Sequence, residues 1–345
     1  MKKKKIYVLH EYGAPSHYYA LQDLARNNDY ELSFYELWTW KYVIKHPGRW
    51  RKYIENKLFW TIIPILPKSK FVVGIAPYNN RVESIMRRLK KHEVYYHTSY
   101  TCWNGSTSVH RPKSDDVISQ WRIFTNSYVK HIFAVSSKTK EELISNKFAS
   151  KENVSVVYHS FNIEINSPGY KKKENTFIYV GRLSEKKGVL EILSFFSAHL
   201  ELQLTIVGDG NLRQVVQEYA IKYQNINYLG YINGLNALVP IYQRHCFSLL
   251  NSKKIGAWEE LFGITIIESM ACGCVPICTN HPGPMEIITD NENGYIVLED
   301  MFLSKVEWVS DLNEEEYLRM RSNAIKKSKE YQSNQIANRW RKIID

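Results

Sequence analysis

The fold is decided by the stretch Thr176-Phe177-Ile178-Tyr179-Val180-Gly181-Arg182-Leu183-Ser184-Glu185-Lys186-Lys187-Gly188. Its β-branched and aromatic start predicts a strand, Gly181 ends that strand, and a helix is predicted over 188–200. The same order of strand, glycine turn and helix returns at 202–207, 208–210 and 212–223. Strands that alternate with helices indicate a parallel sheet covered on both faces. The sequence therefore predicts an α/β, doubly wound, nucleotide-binding domain.

The rest of the chain extends this plan into two α/β halves joined by a linker. In the second half, strands are predicted at 226–229, 246–250 and 275–279, and helices at 263–272, 314–331 and 334–344. In the first half, strands are predicted at 6–10, 71–75, 94–96, 131–136 and 154–158, and helices at 17–27, 82–91 and 138–146. Residues 166–175 are rich in proline, glycine and charge, as linkers are. We therefore predict one domain over 1–165, a second over 166–330, and a terminal helix over 331–345 that packs back on the first domain.

Length and composition indicate a globular chain. At 345 residues the chain exceeds the size at which one hydrophobic core keeps growing. Hydrophobic residues make up 44% and charged residues 23% of it, which is typical of folded proteins. No apolar run reaches the roughly 18 residues of a membrane span, and the basic start at 1–5 leads into a short strand rather than a signal peptide. We expect a cytoplasmic protein.

The net charge indicates the kinds of partner to expect, and the cysteines indicate the compartment. The net charge of +11 favours polyanions: phosphorylated substrates, an anionic membrane surface or nucleic acid. Five cysteines form an odd set, and Cys272 and Cys274 are separated by a single glycine, which suits neither a disulfide nor zinc. They are expected to be buried thiols in a reducing compartment.

Two glutamates frame the sharpest motif, Glu260-Leu261-Phe262-Gly263-Ile264-Thr265-Ile266-Ile267-Glu268. Gly263 lets the backbone approach a ligand closely, and the N–H groups at the start of the following helix attract an anion such as a diphosphate. Glu268, expected in the opening turn of that helix, can accept hydrogen bonds from both hydroxyls of a ribose. The alternative is that acidic residues at a helix start only oppose the helix dipole.

A second group of charges follows the strand Thr176–Val180. Arg182 and Lys187 would place two cations over a phosphate-sized site, where they stabilise the charge of a departing diphosphate. The alternative for this segment alone is a solvated turn with the polarity that is ordinary at a helix start. The glycine turn at 208–210 is a third and weaker indication of a ligand site.

Together these motifs resemble the retaining glycosyltransferases of family 4, within the glycosyl transferases group 1, of the bacterial polysaccharide type. The resemblance spans nearly the whole second half and is looser in the first, where the strand order, His97 and residues 134–136 carry it. In the second half it is carried, in order, by residues 181–188, 207–210, 228–232, 260–268 and 283–286. It implies the GT-B fold, in which two Rossmann-like domains face each other across a cleft. It also implies that the domain over 1–165 binds the acceptor and that the domain over 166–330 binds the nucleotide-sugar.

The resemblance also implies a role for each matching position. Glu268 would bind the donor ribose, and Glu260 would sit near the hydroxyls of the transferred sugar. Arg182 and Lys187 would hold the diphosphate, and His97 would contact the sugar from the first domain. The remaining donor-binding positions are Phe262, Gly263 and Ile264 near the diphosphate, Tyr231 and Ile232 at the base, and Gly13 near the phosphates or acceptor.

The same resemblance implies the reaction and its substrates. A retaining transfer that needs neither metal nor other cofactor would move a sugar from a nucleotide-sugar, with UDP as the usual nucleotide, to a glycan or lipid-linked glycan of a bacterial surface polysaccharide. Guanosine and adenosine remain open as the base. The sequence departs from the family pattern at three places. The single Gly13 bears on the phosphate contact, and residues 159–162 bear on the interdomain loop. Leu261 bears on the shape of the sugar pocket.

Residues 38–70 form a basic segment rich in tryptophan. It holds four of the nine tryptophans and eight basic residues against one acid, Glu55. Cationic amphipathic helices that carry tryptophan lie in membrane interfaces and prefer anionic lipids. We hypothesise that this segment rests on the inner membrane leaflet and admits a lipid-linked acceptor. The alternative is a pair of core helices with a solvated basic face.

Three other functions compete with glycosyl transfer. A nucleotide-sugar epimerase would use the same fold and is separated from a transferase by its products. A nucleic-acid-binding protein would fit the net charge, but the chain has no helix-turn-helix, zinc or RNA-platform signature, so no nucleic-acid partner is expected. A dehydrogenase would need Gly-x-Gly-x-x-Gly after the first strand of a Rossmann unit, which the chain lacks.

Overall fold

The computed structural model describes residues 3–11, 14–37, 40–104, 114–165, 169, 171–256 and 258–345, without the side chains of Lys41 and Lys45. The chain divides into two compact units, Met1–Ser160 with Ser333–Asp345, and Phe161–Gln332. Each unit is built on a parallel sheet of six strands. The predicted α/β, doubly wound plan is therefore confirmed in both halves.

The first unit has the strand order β2-β1-β3-β4-β5-β6. Its strands are β1 Lys4–His10, β2 Tyr30–Glu36, β3 Lys70–Gly74, β4 Glu93–Thr98, β5 His131–Ala134 and β6 Val154–Val156. Its helices up to the linker are α1 Tyr19–Arg26, α2 Trp40–Lys45, α3 Trp50–Ile62, α4 Val82–Leu89, α5 Asp115–Ile123 and α6 Ser137–Ser145. Four consecutive residues of β3, Phe71 to Gly74, are buried, as expected of a central strand that helices cover on both faces.

The second unit has the strand order β12-β11-β10-β7-β8-β9. Its strands are β7 Thr176–Val180, β8 Gln203–Val207, β9 Ile226–Tyr228, β10 Phe247–Leu250, β11 Val275–Thr279 and β12 Tyr295–Val297. Its helices are α7 Val189–Ala198, α8 Arg213–Lys222, α9 Leu235–Tyr242, α10 Ile264–Ala271, α11 Pro282–Ile287, α12 Phe302–Ser310 and α13 Glu314–Ser328. The stretch that decides the fold thus forms β7 and leads, through a turn, into α7.

The C-terminal residues belong to the first unit. They form α14 Ser333–Ala337 and a 3₁₀ turn over Asn338–Ile343, and the Ser333 hydroxyl donates a hydrogen bond to the Asp23 carboxylate of α1. The Trp340 ring lies among aromatic side chains of the sheet, with its centroid 4.4 Å from that of Phe133. Burial of this ring ties the end of the chain to the first sheet.

Several elements differ from the sequence-based expectation. Strand β2 was not predicted, because it is an edge strand without a fully buried residue. Helix α9 was not predicted either, since Pro240 lies inside it and proline normally argues against a helix interior. Of the linker, residues 166–168 and 170 lie outside the described chain. Four of the five cysteines are buried, as expected: Cys246, Cys272, Cys274 and Cys278. No helix in the described residues has the length and apolar character needed to cross a bilayer.

Replacing Trp340 with alanine should destabilise the first unit. The side chain is 1% exposed, and loss of a buried tryptophan costs about 3–5 kcal/mol through lost burial and the cavity left behind. Urea unfolding of the full chain measures the change. Arg341→Ala, at an exposed neighbour, should change the free energy of unfolding by less than about 0.5 kcal/mol. Equal stability of the two variants would contradict the packing described here.

Candidate active site

A cavity of about 550 Å³ lies at the carboxyl edge of the second sheet, and we call it the β7–β8 cavity. The chain runs from β7 to β8 on one side and later continues from β10 on the other, so the strand order reverses between β7 and β10. Ligands of open α/β sheets bind in the crevice at such a point. The cavity is lined by Val180, Gly181, Arg182, Val207, Gly208, Asp209, Tyr231, Ile232, Leu238, Thr265 and Glu268.

Two glycines at strand ends, Gly181 and Gly208, lie against each other in the cavity wall. A Cβ atom on Gly208 would lie 1.8 Å from the Gly181 carbonyl oxygen, and the φ angle of Gly208 is 150°. Only glycine fits such an approach. The Gly208 N–H donates to the Gly230 carbonyl at 2.9 Å, which ties this turn to the end of β9. The glycine turn that was a weak indication in the sequence is a fixed part of the cavity.

Helix α10 begins beside the cavity after a left-handed glycine. Gly263 has φ 83° and ψ 64°, a conformation that favours glycine. The preceding Phe262 is buried, and a Cβ atom on Gly283 would lie 2.4 Å from the Phe262 nitrogen. Thr265, in the first turn of α10, lines the cavity. Because first-turn N–H groups have no partners within their helix, this end of α10 can bind an anion.

Glu260 is held by neighbours from three loops. Lys187 Nζ forms an ion pair with its carboxylate, and the Ser252 hydroxyl donates to the same oxygen at 2.8 Å. The Glu260 N–H donates to Nδ1 of His281 at 3.3 Å, while Nε2 of His281 lies 2.8 Å from the Ser252 carbonyl oxygen. A ring that accepts at Nδ1 and donates at Nε2 is a neutral imidazole. His281 therefore positions the backbone around Glu260.

Glu268 has a different environment, in the wall of the β7–β8 cavity. It is the fifth residue of α10 and lies in the second turn, so the expectation that it occupies the opening turn was wrong. Burial raises the pKa of its carboxyl to about 7, because desolvation disfavours the charged form. A carboxyl with a pKa this far above its ordinary value, inside a cavity, is a candidate functional group.

The structure brings four predicted donor-site residues into one cavity wall: Arg182, Tyr231, Ile232 and Glu268. Tyr231 is 70% exposed, so its ring can take a planar ligand without rearrangement. Five other predicted residues of the second unit do not line the cavity: Lys187 and Glu260, which pair with each other, and Phe262, Gly263 and Ile264, which lead into α10. Their roles stay predictions.

The lining residues that were given no role from the sequence include Thr265, Asp209 and Leu238. Thr265 lies inside the glutamate motif, and Asp209 lies inside the glycine turn at 208–210, so both were within reach of the sequence patterns. Leu238 lies on α9, and no motif pointed to it because that helix was not predicted. Likewise, the sequence indicated only the segment around His281 and not its contact with Glu260.

In the first unit, His97 lies near the end of β4 among other rings. It is buried, with its ring centroid 5.0 Å from that of Tyr18 and 5.1 Å from that of Trp340. Burial, followed by the neighbouring His17 and His10, holds its pKa well below the ordinary value. His97 is therefore a neutral side chain at neutral pH, and its contact with a sugar stays a prediction.

Two residues that were singled out from the sequence lie outside the described chain. Gly13, predicted near the phosphates or acceptor, lies outside the described residues, as does Trp38 at the start of the basic segment. Among the residues that are described, no group of three or more histidine, cysteine, aspartate or glutamate side chains is placed to hold a metal ion.

Comparison with known proteins shows what the second unit is similar to. Residues 160–327 match the family described as glycosyl transferases group 1. This match covers most of the second unit and just under half of the chain. Over 197 residues it is 28% identical to a Campylobacter jejuni alpha-1,4-N-acetyl-D-galactosaminyltransferase named for a glycan on PP-undecaprenol, covering 53% of this chain and 52% of that one. It is 24% identical over 208 residues to the capsular polysaccharide biosynthesis glycosyltransferase CapM of Staphylococcus aureus, covering 54% and 53%. These matches span about half the length of the curated relatives.

Solved structures with the same fold cover both units. The Anabaena protein Alr3699/HepE in complex with UDP has a TM-score of 0.70 at 16% identity and covers 99% of each chain. Sucrose-phosphate synthase from Thermosynechococcus elongatus has a TM-score of 0.73 at 13% identity and covers 99% of this chain and 98% of that one. The predicted GT-B fold class is confirmed.

The buried carboxyl of Glu268 should make stability depend on pH. Its folded-state pKa of about 7 lies above its unfolded value, so its favourable contribution is complete below about pH 4.5 and is lost as the pH rises through 7. Glu268→Gln cannot ionise and escapes this loss. Its free energy of unfolding relative to wild type should rise by about 2 kcal/mol between pH 5 and pH 8, as measured by urea unfolding. Glu185→Gln, at an exposed site, is the control, and parallel pH profiles for Glu268→Gln and wild type would contradict the prediction.

Proposed function

We propose that the chain is a retaining glycosyltransferase that moves a sugar from a nucleotide-sugar, with UDP as the nucleotide, to a glycan or lipid-linked glycan of a bacterial surface polysaccharide. The observation that carries this proposal is the β7–β8 cavity, which joins an apolar wall to an arginine and a half-buried glutamate at the reversal point of the second sheet. Its volume of about 550 Å³ falls within the roughly 300–1,000 Å³ of small-molecule sites.

The cavity wall suits a nucleoside in three respects. Tyr231, Ile232 and Leu238 offer an aromatic and aliphatic surface for a base. The Glu268 carboxyl can take hydrogen bonds from a pair of ribose hydroxyls. Those donors would favour the ionised form and lower the pKa that burial raises. The choice of UDP is supported by the Anabaena neighbour, which was solved with UDP.

The start of α10 and the nearby cations suit a diphosphate leaving group. In the transfer, the bond between the anomeric carbon and the diphosphate oxygen breaks and both electrons leave with the diphosphate. The oxygen of an acceptor hydroxyl forms the new bond to that carbon, and the hydroxyl proton passes to the departing diphosphate. The first-turn N–H groups of α10 and the Arg182 guanidinium would stabilise the charge that develops. A diphosphate here would also compete with Glu260 for the Lys187 ammonium, which would free that carboxylate for sugar hydroxyls.

The acceptor class is supported by the relatives and by the surface of the first unit. One relative is named for a PP-undecaprenol glycan and another for capsular polysaccharide. Seven of the eighteen large apolar residues that are exposed in the described chain fall within residues 40–65: Trp40, Ile44, Trp50, Ile54, Leu58, Ile62 and Ile65. We call these seven residues the apolar stripe.

The apolar stripe is flanked by positive charge. On α3 its members recur every four residues, from Trp50 to Ile62, so they share one side of the helix. The exposed side chains of Arg51, Lys52 and Lys57 stand beside them. Exposed apolar side chains among cations fit an anionic lipid surface. We therefore extend the proposal to a peripheral protein on the cytoplasmic face of the membrane, where a lipid-linked acceptor would be found.

The donor site is tested by thermal unfolding with UDP, GDP and ADP. A ligand at one hundred times its dissociation constant stabilises the folded state by about 2.7 kcal/mol, which raises the unfolding midpoint by a few degrees. UDP should raise the midpoint of the wild type, while Glu268→Ala should lose most of the shift and the exposed-site control Glu185→Gln should keep it. If no nucleotide shifts the wild type, the proposed donor site is wrong. A shift by GDP or ADP alone would reject UDP and keep the transferase.

Membrane binding is tested by flotation with vesicles of phosphatidylglycerol and phosphatidylcholine. The wild type should float with anionic vesicles, less so at high salt, and little with phosphatidylcholine alone. The double substitution Ile54→Ser with Leu58→Ser should reduce flotation strongly, because each serine removes apolar area that would enter the lipid. Ile221→Ser, at an exposed isoleucine of the second unit, should leave flotation unchanged. Equal flotation of the two variants would reject the apolar stripe as the contact.

A further inference from the structure

The first unit holds a second cavity, of about 170 Å³, beside the carboxyl end of β2; we call it the α3 cavity. It is lined by Glu36, Leu37, Tyr53, Asn56, Lys57, Trp60, Arg81 and Ser84. Four of these residues come from one side of α3, and the others come from the end of β2 and the start of α4. The cavity thus lies at the sheet edge where open α/β sheets bind ligands.

A buried polar atom of Asn56 that has no hydrogen-bond partner in the described chain indicates that the α3 cavity is a ligand site. The residue is 6% exposed, and its Nδ2 donates to Glu36 Oε2 at 2.8 Å. Its Oδ1 is buried and has no hydrogen-bond partner within the part of the chain that the structure describes. A buried polar atom without a partner costs about 1–3 kcal/mol, and native structures contain few of them. A donor supplied by a ligand would remove this cost.

Three charged side chains line the cavity, Glu36, Lys57 and Arg81, and each has a partner within the protein. Lys57 Nζ lies 5.5 Å from the centroid of the Tyr53 ring. Glu36 accepts from Asn56, and Lys52 Nζ lies 3.9 Å from the same carboxylate oxygen. Arg81 donates through Nη1 to the Leu37 carbonyl at the end of β2. A carboxylate in the wall and an arginine bound to a carbonyl disfavour an anionic ligand. They leave acceptor oxygens on Glu36 and Asn56 for a ligand that donates hydrogen bonds.

Two aromatic side chains of α3, Tyr53 and Trp60, complete the lining. Trp60 is held from outside the helix, because the Arg88 guanidinium lies 5.1 Å from its ring centroid and donates to its carbonyl oxygen at 3.0 Å. A fixed aromatic ring offers an apolar surface to the C–H face of a pyranose, while carboxylate and amide oxygens accept from its hydroxyls. This combination is suited to a neutral sugar.

We propose that the α3 cavity binds one neutral sugar ring of the acceptor glycan. The proposal rests on the proposed function, since it assigns the acceptor side of that reaction to named residues. A volume of about 170 Å³ is below the roughly 300–1,000 Å³ that encloses a drug-sized molecule, so the cavity holds a single ring rather than an oligosaccharide. Glu36 and Asn56 orient the ring through its hydroxyls, and Trp60 supports its apolar face.

The test is saturation-transfer NMR on the full chain with methyl glycosides of glucose, galactose, mannose, N-acetylglucosamine and N-acetylgalactosamine. At least one glycoside should bind the wild type. Asn56→Leu, which keeps the volume and removes the polar atoms, should weaken that binding at least tenfold, and Glu36→Gln should weaken it as well. Glu55→Gln, one residue away on α3 with a half-exposed carboxylate, should bind as the wild type does. Thermal unfolding of each variant establishes that it is folded.

The outcomes separate this proposal from the donor site. If no glycoside binds while UDP still raises the unfolding midpoint, the sugar subsite is wrong and the transferase stands. If glycosides bind and neither Asn56→Leu nor Glu36→Gln weakens them, the subsite is also wrong. If inorganic pyrophosphate, followed by ³¹P line broadening, is the ligand whose binding Asn56→Leu removes, the cavity is a phosphate site and the proposal fails. Glycoside binding that depends on Asn56, without any nucleotide shift, would keep the subsite and reject the donor site.

Discussion

The close approach of the turns that follow β7 and β8 fixes the geometry on which the β7–β8 cavity depends. The Gly208 backbone lies against the Gly181 carbonyl, and a Cβ atom on Gly210 would lie 2.2 Å from the Leu183 carbonyl oxygen. A single methyl group at either contact would push the two turns apart and shift the strand ends that carry Arg182 and Asp209. Because these turns carry no side chain at their contact, the sheet edge keeps an open volume above two central strands. Packing of the two turns therefore requires Gly208 and Gly210. The open volume of the β7–β8 cavity is a consequence of that packing.

Two glutamates with seven residues between them, Glu260 and Glu268, have different electrostatic surroundings. Glu260 has a lysine, a hydroxyl and an imidazole-anchored backbone around it, so its carboxylate has partners within the protein. Glu268 is half-buried in the cavity wall, and desolvation raises the pKa of its carboxyl to about 7. Identical side chains thus acquire different chemistry from their surroundings. A poorly solvated carboxyl at a cavity wall lowers the free energy of unfolding of the protein. Hydrogen bonds from the paired hydroxyls of a ligand would offset this loss of stability.

The sequence predicted those parts of the molecule whose signals are local. Strand β11 was predicted with its observed bounds, and the strand-glycine-helix units of the second half appeared in order, because glycine and β-branched residues act within a few positions of themselves. Edge strand β2 and the proline-containing α9 were missed because tertiary packing overrides local preference there. The α3 cavity gave no sequence signal, since Glu36, Asn56 and Arg81 are brought together by the sheet and by no fixed spacing. Of the candidate site, the motif residues could be named in advance, while the state of Glu268 and the anchoring by His281 needed three-dimensional contacts.

Helix α3 takes part in both proposals for the first unit, the membrane contact and the sugar subsite. Residues on one side of it line the α3 cavity, and residues on another side belong to the apolar stripe. Tyr53, Asn56, Lys57 and Trp60 line the α3 cavity, whereas Trp50, Ile54, Leu58 and Ile62 are exposed. An α-helix with its side chains is about 10–12 Å across, so a lipid surface on the apolar stripe would lie about one helix thickness from the sugar subsite. A glycan still attached to its lipid carrier would then be held at both ends, and its second contact would form at a high effective concentration. A free glycan could use the cavity but would lose that advantage. In this arrangement the membrane would contribute affinity for the proposed acceptor, and the chemical step would depend on the groups around the β7–β8 cavity.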